Sequence, residues 1–133
     1  MASFIIPGKP QGKARVRVRR DGHAYTPENT TMYENLVKLS YIQQCGNSIA
    51  DGPLKMDILA AYPIPKSFTK KERLQVLRGE LHPTKKPDAD NIGKIVADAL
   101  NGVAYQDDAQ IILLQIRKTY SEEPRVVVTV CPL

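Results

Sequence analysis

Two segments rich in β-branched residues near the carboxyl end of the chain, residues 109–116 and 126–130, limit the possible folds more than any other feature. Ile and Val favour strands, and runs this apolar need cover on both faces. The stretch between them, residues 121–124, reads Ser-Glu-Glu-Pro and predicts a turn that joins the two strands as an antiparallel pair. The chain therefore has to build a sheet around these strands.

The rest of the chain alternates between strand and helix patterns. Strands are expected at residues 3–7 and 54–62, and Asp21-Gly22 predicts the turn of a hairpin in an arginine-rich segment. Thr26 and Pro27 suit the cap and first position of a helix that runs to Cys45. A second helix begins near residues 67–69, and a third spans residues 88–100 before the Asn-Gly stop at 101–102. These elements predict an α+β (α/β) fold: a small mixed β-sheet flanked by helices, in one domain over residues 1–133.

Length and composition exclude several classes of protein. The chain has 133 residues, of which 42% are hydrophobic, enough for one folded domain with its own core. No run of 18 apolar residues is present, so no membrane span is expected. The first residues are too soon interrupted by Pro7 to form a signal peptide, and two cysteines make neither a disulfide framework nor a zinc cluster. We therefore expect a cytoplasmic protein with no membrane partner.

Charge is distributed in blocks. Residues 1–20 carry six basic side chains and no acid, and residues 66–86 carry seven basic side chains against two acids. Between the second block and the late strands, residues 87–110 hold five aspartates and one lysine. Basic segments of this kind favour a polyanionic partner, whereas an acidic island would repel it unless a metal ion sits there.

The acidic island lies on a predicted helix. At about 100° per residue, Asp90, Lys94 and Asp98 share one face of that helix, and its apolar residues share the opposite face. Asp88 lies at the helix entry, and Asp107-Asp108 comes just before the next strand. If that strand lies beside the helix start, three carboxylates converge, and converging carboxylates are unfavourable without a cation. With Mg²⁺ they form an oxygen-rich site, and with a nearby lysine they suit phosphodiester hydrolysis.

Each of these residues also has a purely structural interpretation. Asp88 or Asp90 can cap the helix, Asp107-Asp108 can form a turn, and Lys94 can pair with Asp90 or Asp98. The stripe of Tyr33, Leu36, Val37 and Tyr41 on the first helix is either core or a dimer interface. These alternatives stay open on the residues alone.

The aspartate blocks resemble the RusA family of Holliday junction resolvases. The matching residues are Asp88-Ala89-Asp90-Asn91, Lys94, Asp98-Ala99-Leu100 and Asp107-Asp108-Ala109-Gln110. The segment Gly12-Lys13-Ala14-Arg15-Val16-Arg17 also resembles the basic segment of phage-type members, with Val16 where proline is usual. The resemblance covers nearly the whole chain.

The resemblance implies a homodimer that resolves four-way branched DNA in recombination and repair, with Mg²⁺, or Mn²⁺ in its place, as cofactor. It implies that Asp88, Asp90 and Asp108 bind the metal, that Lys94 is the catalytic lysine, and that Asp107 is a second-rank candidate. The alternation of basic and small residues predicts phosphate contacts, and the proposed DNA-binding residues are Lys13, Arg15, Arg17, Arg19, Lys85 and Lys86. A metal-dependent nuclease of other specificity (flap or RNA) and a non-catalytic junction-binding protein remain as alternatives.

Overall fold

The computed structural model describes residues 1–133. The strands are β1 (Ala2–Pro7), β2 (Arg17–Val18), β3 (Ala24–Tyr25), β4 (Leu54–Pro63), β5 (Ile111–Ser121) and β6 (Arg125–Pro132). The helices are α1 (Glu28–Cys45), α2 (Lys70–Leu77) and α3 (Ala89–Ala99). Four strands form one mixed sheet in the order β1-β6-β4-β5, and β2 and β3 form a separate hairpin. The predicted α+β class with a mixed sheet and flanking helices is confirmed.

The pairing of the late strands differs from the prediction. β6 lies between β1 and β4 and runs antiparallel to both, whereas β5 runs parallel to β4. The predicted antiparallel pair is therefore wrong, because β4 separates β5 from β6. Alternate residues of β4 from Leu54 to Tyr62 are buried. A strand this buried is paired along both edges, since backbone groups without partners are costly away from water.

Both long helices pack on the same face of the sheet. α1 lies against β1, α3 lies against β5, and the two helices contact each other. The stripe on α1 belongs to this core: Tyr33, Val37 and Tyr41 are buried, and the Tyr41 ring meets Phe4 edge-on with ring centroids 5.4 Å apart. The interpretation of the stripe as core is therefore confirmed for Tyr33, Val37 and Tyr41, whereas Leu36 is only partly buried.

The two ends of α1 have distinct roles. Pro27 occupies the capping position instead of the first helical position, and no side chain caps the helix, so the predicted Thr26 cap is not formed. Near the other end, Gln44 accepts a hydrogen bond from Ile5 N at 2.8 Å and donates one to Ile5 O at 2.7 Å. This amide occupies backbone groups on the outer edge of β1.

Close backbone approach fixes the position of α3. A side chain at Gly93 would lie 2.7 Å from Ile116 Cδ1, so the glycine lets the helix rest on β5. A side chain at Gly12 would lie 3.0 Å from the Cβ atoms of both Pro87 and Asn91. The amino-terminal segment is thus pressed against the start of α3, and Lys13 N donates to Asn91 O at 3.1 Å.

Two elements project from this body. α2 begins within the predicted start region with a capping box between Thr69 and Glu72, and it buries none of its residues. The β2–β3 hairpin, which the Asp21-Gly22 turn predicts, has only exposed residues. None of the helices combines the length and the apolarity needed to cross a bilayer.

Candidate functional site

The start of α3 presents the first pair of predicted site residues. Asp88 occupies the capping position, but its side chain caps nothing and instead accepts a hydrogen bond from Asn91 Nδ2 at 2.7 Å. Asp90 follows in the first turn, and both aspartates are exposed. Lys94, one turn further, is exposed and forms no ion pair within 4 Å. The carboxylates and the ammonium group therefore remain available to a ligand.

Side chains of the sheet donate hydrogen bonds to the loop that precedes Asp88. The Tyr62 hydroxyl at the end of β4 donates a hydrogen bond to Pro87 O, and Lys118 Nζ of β5 donates to Lys85 O at 2.7 Å. The Lys118 ammonium also lies 5.0 Å from the centroid of the Tyr62 ring. Burial, with a smaller contribution from the Asp88 charge, raises the pKa of Tyr62 to about 12. The hydroxyl therefore stays protonated at neutral pH and keeps donating to the loop.

A second group of carboxylates lies at the other end of α3. The Asp108 N–H donates to Asn101 Oδ1 at 2.7 Å, and Asn101 Nδ2 donates to Asp108 Oδ2 at 3.4 Å. Asn101 N in turn donates to Asp98 O at 3.3 Å, so Asp108 lies beside the last turn of α3. Asp107 instead accepts from Ala109 N at 2.9 Å and caps the short 3₁₀ turn Asp108–Gln110. The structural interpretation thus holds for Asp107, whereas the Asp108 side chain faces its neighbours on α3.

The electrostatics of this second group reflect burial first and the crowding of like charges second. Burial raises the pKa of the Asp108 carboxyl, contact with Asp98 raises it further, and the hydrogen bond from Asn101 opposes the shift. Burial, with smaller contributions from the charges of Asp108, Asp98 and Asp107, also raises the pKa of Tyr105. Tyr105 is fully buried, and its hydroxyl donates a hydrogen bond to Ala97 O at 2.7 Å. Its side chain is therefore uncharged beside this group of carboxylates.

The two groups do not meet within one chain. β5 begins beside the end of α3 and not beside its start, so the condition for three converging carboxylates is not met. Asp90 and Asp98 are eight residues apart on the helix, about 12 Å along its axis at the usual rise. No three or more His, Cys, Asp or Glu side chains are grouped to hold a metal ion. A single chain therefore does not bring together the carboxylate ligands of a complete Mg²⁺ site.

Lys13 lines the same cleft as Lys85 and Lys86, but its ammonium group is paired with acidic side chains. Its Nζ atom is 3.2 Å from Glu34 Oε2 on α1 and 3.5 Å from Asp98 Oδ2 on α3, and its side chain is 21% exposed. The charge of this ammonium group is therefore compensated by two carboxylates. The contact of Lys13 with a phosphate therefore stays a prediction, made for a side chain that two carboxylates already partner.

The other predicted cations are accessible. Arg15, Arg17 and Arg19 are exposed on and beside the β2–β3 hairpin, and the Arg19 guanidinium lies 5.1 Å from the centroid of the Tyr25 ring. Lys85 and Lys86 are exposed at the rim of a cleft of about 490 Å³. This cleft runs between the loop before Asp88 and the amino-terminal segment, so its basic rim adjoins one carboxylate pair.

Sequence reasoning missed the residues that hold the site together. Asn101 reads as a helix stop, yet its side chain positions Asp108 through the Oδ1 contact and a 3.4 Å hydrogen bond from Nδ2. Gln110 completes the cap of the 3₁₀ turn and also donates to Ala50 O and Gly52 O. Tyr62 and Lys118 support the loop before α3. Only the D-D-A-Q block contained a signal for any of these, through Gln110.

Comparison with known proteins identifies the family. The chain matches the family described as endodeoxyribonuclease RusA over residues 7–131, nearly its whole length. It is 39% identical over 132 residues to the uncharacterized protein YqaN of Bacillus subtilis strain 168, a match that spans 96% of this chain and 93% of YqaN. The chain belongs to the RusA endodeoxyribonuclease family, as the aspartate blocks indicated. Nucleases of this family bind branched DNA and generally depend on divalent metal ions.

Proposed function

We propose that this protein is an endonuclease that resolves four-way DNA junctions by symmetric phosphodiester hydrolysis, with Mg²⁺ as cofactor and Mn²⁺ as a substitute. The observation that carries the proposal is the arrangement at the start of α3. There, Asp88 and Asp90 are exposed and form no ion pair, Asp88 accepts a hydrogen bond only from Asn91, and Lys94 is unpaired, within a chain of the RusA family. Its proposed biological setting is DNA recombination and repair in the cytoplasm, and the resemblance is to phage-type members of the family.

The assignment of roles follows the family and the geometry together. Asp88, Asp90 and Asp108 would hold the metal ion, which in such sites activates water and neutralises the phosphate. Lys94 would stabilise developing charge on the phosphate. Arg15, Arg17, Arg19, Lys85 and Lys86 would contact the DNA backbone.

A second copy of the chain would bring these residues together. β5 runs antiparallel to α3, since Ile116 meets Gly93 near the helix start while Asp108 lies at the helix end. If two β5 edges pair around a two-fold axis, the two α3 helices lie antiparallel. The start of each helix then faces the end of the other. We propose a homodimer in which Asp88 and Asp90 of one protomer share a metal site with Asp108 of its partner.

The two edges of the sheet support this choice of interface. The outer edge of β1 is occupied by the Gln44 side chain. β5 has 11 residues, pairs only with β4, and exposes Ile112, Leu113 and Leu114. A long apolar edge strand is a template for strand pairing, and proteins seldom leave one uncovered.

The direct test is cleavage of a synthetic four-way junction, compared with linear duplex, a 5′ flap and a hairpin RNA. We expect paired, symmetric nicks in the junction with Mg²⁺ or Mn²⁺ and none with excess chelator, while binding persists. Preferential cleavage of the flap or the RNA would favour a nuclease of other specificity. Junction binding without any cleavage would favour a non-catalytic junction-binding protein.

A further inference from the structure

Lys13 links three parts of the structure at one point. Its backbone N–H bonds to Asn91 O near the start of α3, and its ammonium group lies between Glu34 of α1 and Asp98 near the end of α3. Lys13 thereby spans most of the length of the helix that carries the site. No other lysine or arginine pairs with an acid of α3.

The charge balance around Asp98 shows what this contact does. Asp98 and Asp108 meet at Asn101, whose backbone N–H donates to Asp98 O at 3.3 Å and whose Nδ2 donates to Asp108 Oδ2 at 3.4 Å. Asp107 precedes Asp108 in the chain and adds a third carboxylate. Carboxylates this close repel each other unless a cation compensates them. Lys13 is the cation within 4 Å of the group, at 3.5 Å from Asp98 Oδ2. Without it, Asp98 and Asp108 would be expected to turn away from each other.

We infer that Lys13 is a positioning residue of the nuclease site, which fixes Asp98 and, through it, holds the Asp108 carboxyl in place. The inference rests on the proposed function and adds a residue to it. It distinguishes Lys13 from its basic neighbours Arg15 and Arg17, which are exposed and have no acidic partner within 4 Å. Lys13 acts through Asp98 and does not touch the DNA.

The test compares Lys13→Met, which keeps the apolar stem, with Lys13→Arg, which keeps the charge. Lys55→Met is a matched control, because Lys55 forms a 3.5 Å ion pair with Asp57 on the sheet face away from the helices. For each variant we would measure the melting temperature, the salt dependence of junction binding in chelator, and the single-turnover cleavage rate at saturating enzyme. We expect Lys13→Met to cleave about tenfold more slowly, as is typical when a residue behind a site is removed.

Three further readouts separate positioning from other roles. The salt slope of binding should not change in Lys13→Met, and Lys13→Arg should recover most of the cleavage rate. Lys13→Met should add nothing in an Asp98→Asn background, since residues that act through one another are not additive. Glu34→Gln should cleave normally, because Lys13 keeps Asp98. If Lys13→Met does not fold, Lys13→Arg and Glu34→Gln still test the inference. Slow cleavage by Lys13→Arg, with or without slow cleavage by Glu34→Gln, would contradict it.

The inference is overturned if Lys13→Met lowers the salt slope, because Lys13 is then a phosphate contact. It is also overturned if cleavage falls only as far as in Lys55→Met, or if the effects of Lys13→Met and Asp98→Asn multiply. These results would leave the proposed function intact as long as the natural sequence cleaves. A natural sequence that never cleaves a junction would overturn the proposed function itself, and the inference with it.

Discussion

Adjacent aspartates in this chain perform different tasks. Asp107 caps a 3₁₀ turn through Ala109 N, and that hydrogen bond commits its carboxylate to local structure. Asp108 has its backbone N–H satisfied by Asn101, which leaves the side chain beside Asp98. At the start of α3, by contrast, Asp88 occupies the capping position, but its side chain does not cap the helix. A carboxylate that meets no local structural need is the better candidate for a ligand.

Asp90→Asn should abolish cleavage of four-way junctions while leaving junction binding in place. The substitution removes one carboxylate charge from the proposed metal site but leaves the basic surface intact. We expect the cleavage rate in Mg²⁺ to fall about a hundredfold or more, a loss typical for a group that stabilises transition-state charge. Single-turnover assays and binding titrations in chelator measure the two effects. Asp51→Asn, in the exposed turn before β4, is the matched control.

Full activity of Asp90→Asn would remove this residue from the site. Equal losses of binding and cleavage would instead show that Asp90 supports the DNA-binding conformation of the protein.

At the level of elements, the β2–β3 hairpin stands apart from the rest of the fold. It is a two-stranded ribbon with a two-residue ladder, Arg17 opposite Tyr25 and Val18 opposite Ala24. An isolated ribbon of this size is only marginally stable in water. Its arginines have no acidic partner within 4 Å. These properties suit an arm that becomes ordered against a polyanion, and we expect the hairpin to contact phosphates.

Replacing Arg15, Arg17 and Arg19 together by Ala should weaken junction binding and reduce its salt dependence. Each phosphate contact that is lost should lower the slope of log K against log salt by about 0.9. The control replaces Lys70, Lys71 and Arg73 of α2 by Ala, which removes the same charge from another exposed element. Fluorescence anisotropy with a labelled junction over a salt series provides the measurement. An unchanged slope in the hairpin variant, or the same decrease in both, would argue against the hairpin as a specific DNA contact.

For the whole molecule, the division of the carboxylates between the ends of α3 is the central fact. No single chain groups three metal-ligating side chains. A four-way junction has approximate two-fold symmetry, and a two-fold dimer with two shared sites would match it. The same pairing of β5 edges would cover the exposed apolar residues of that strand and extend the sheet across both protomers.

Subunit complementation tests this arrangement. Asp90→Asn and Asp108→Asn should each be inactive alone, but a mixture of the two proteins should nick one strand of a junction. In a mixed dimer with shared sites, one site receives both natural aspartates and the other receives neither. If each site lies within one protomer, every site in the mixture carries a substitution and no cleavage returns.

Sedimentation equilibrium at micromolar concentration provides the accompanying measurement. We expect a dimer for the natural sequence and a monomer without cleavage for Leu113→Lys on the β5 edge. Leu77→Lys, at a 79% exposed position of α2, should stay dimeric and active. A strict monomer that makes paired, symmetric nicks would contradict the dimer.

The sequence by itself determined the local features of this protein. Periodicity placed α3, with Ile92, Ile95, Val96 and Ala99 in the core and Asp90 and Lys94 outside, because a helix repeats regularly whatever surrounds it. The hairpin turn and the Thr69 cap follow from the same kind of short-range chemistry. The aspartate spacing pointed to the family.

Only the tertiary structure decided which distant residues meet. β5 pairs with β4 and not β6, Lys13 turns towards Asp98, and Asp108 lies at the end of α3 instead of its start. Each outcome depends on packing between segments far apart in the chain: the burial of β4 on both edges, and the contact of Gly12 with Pro87 and Asn91. Local propensity carries no information about such contacts, because their free energy comes from burial that exists only once the fold has formed.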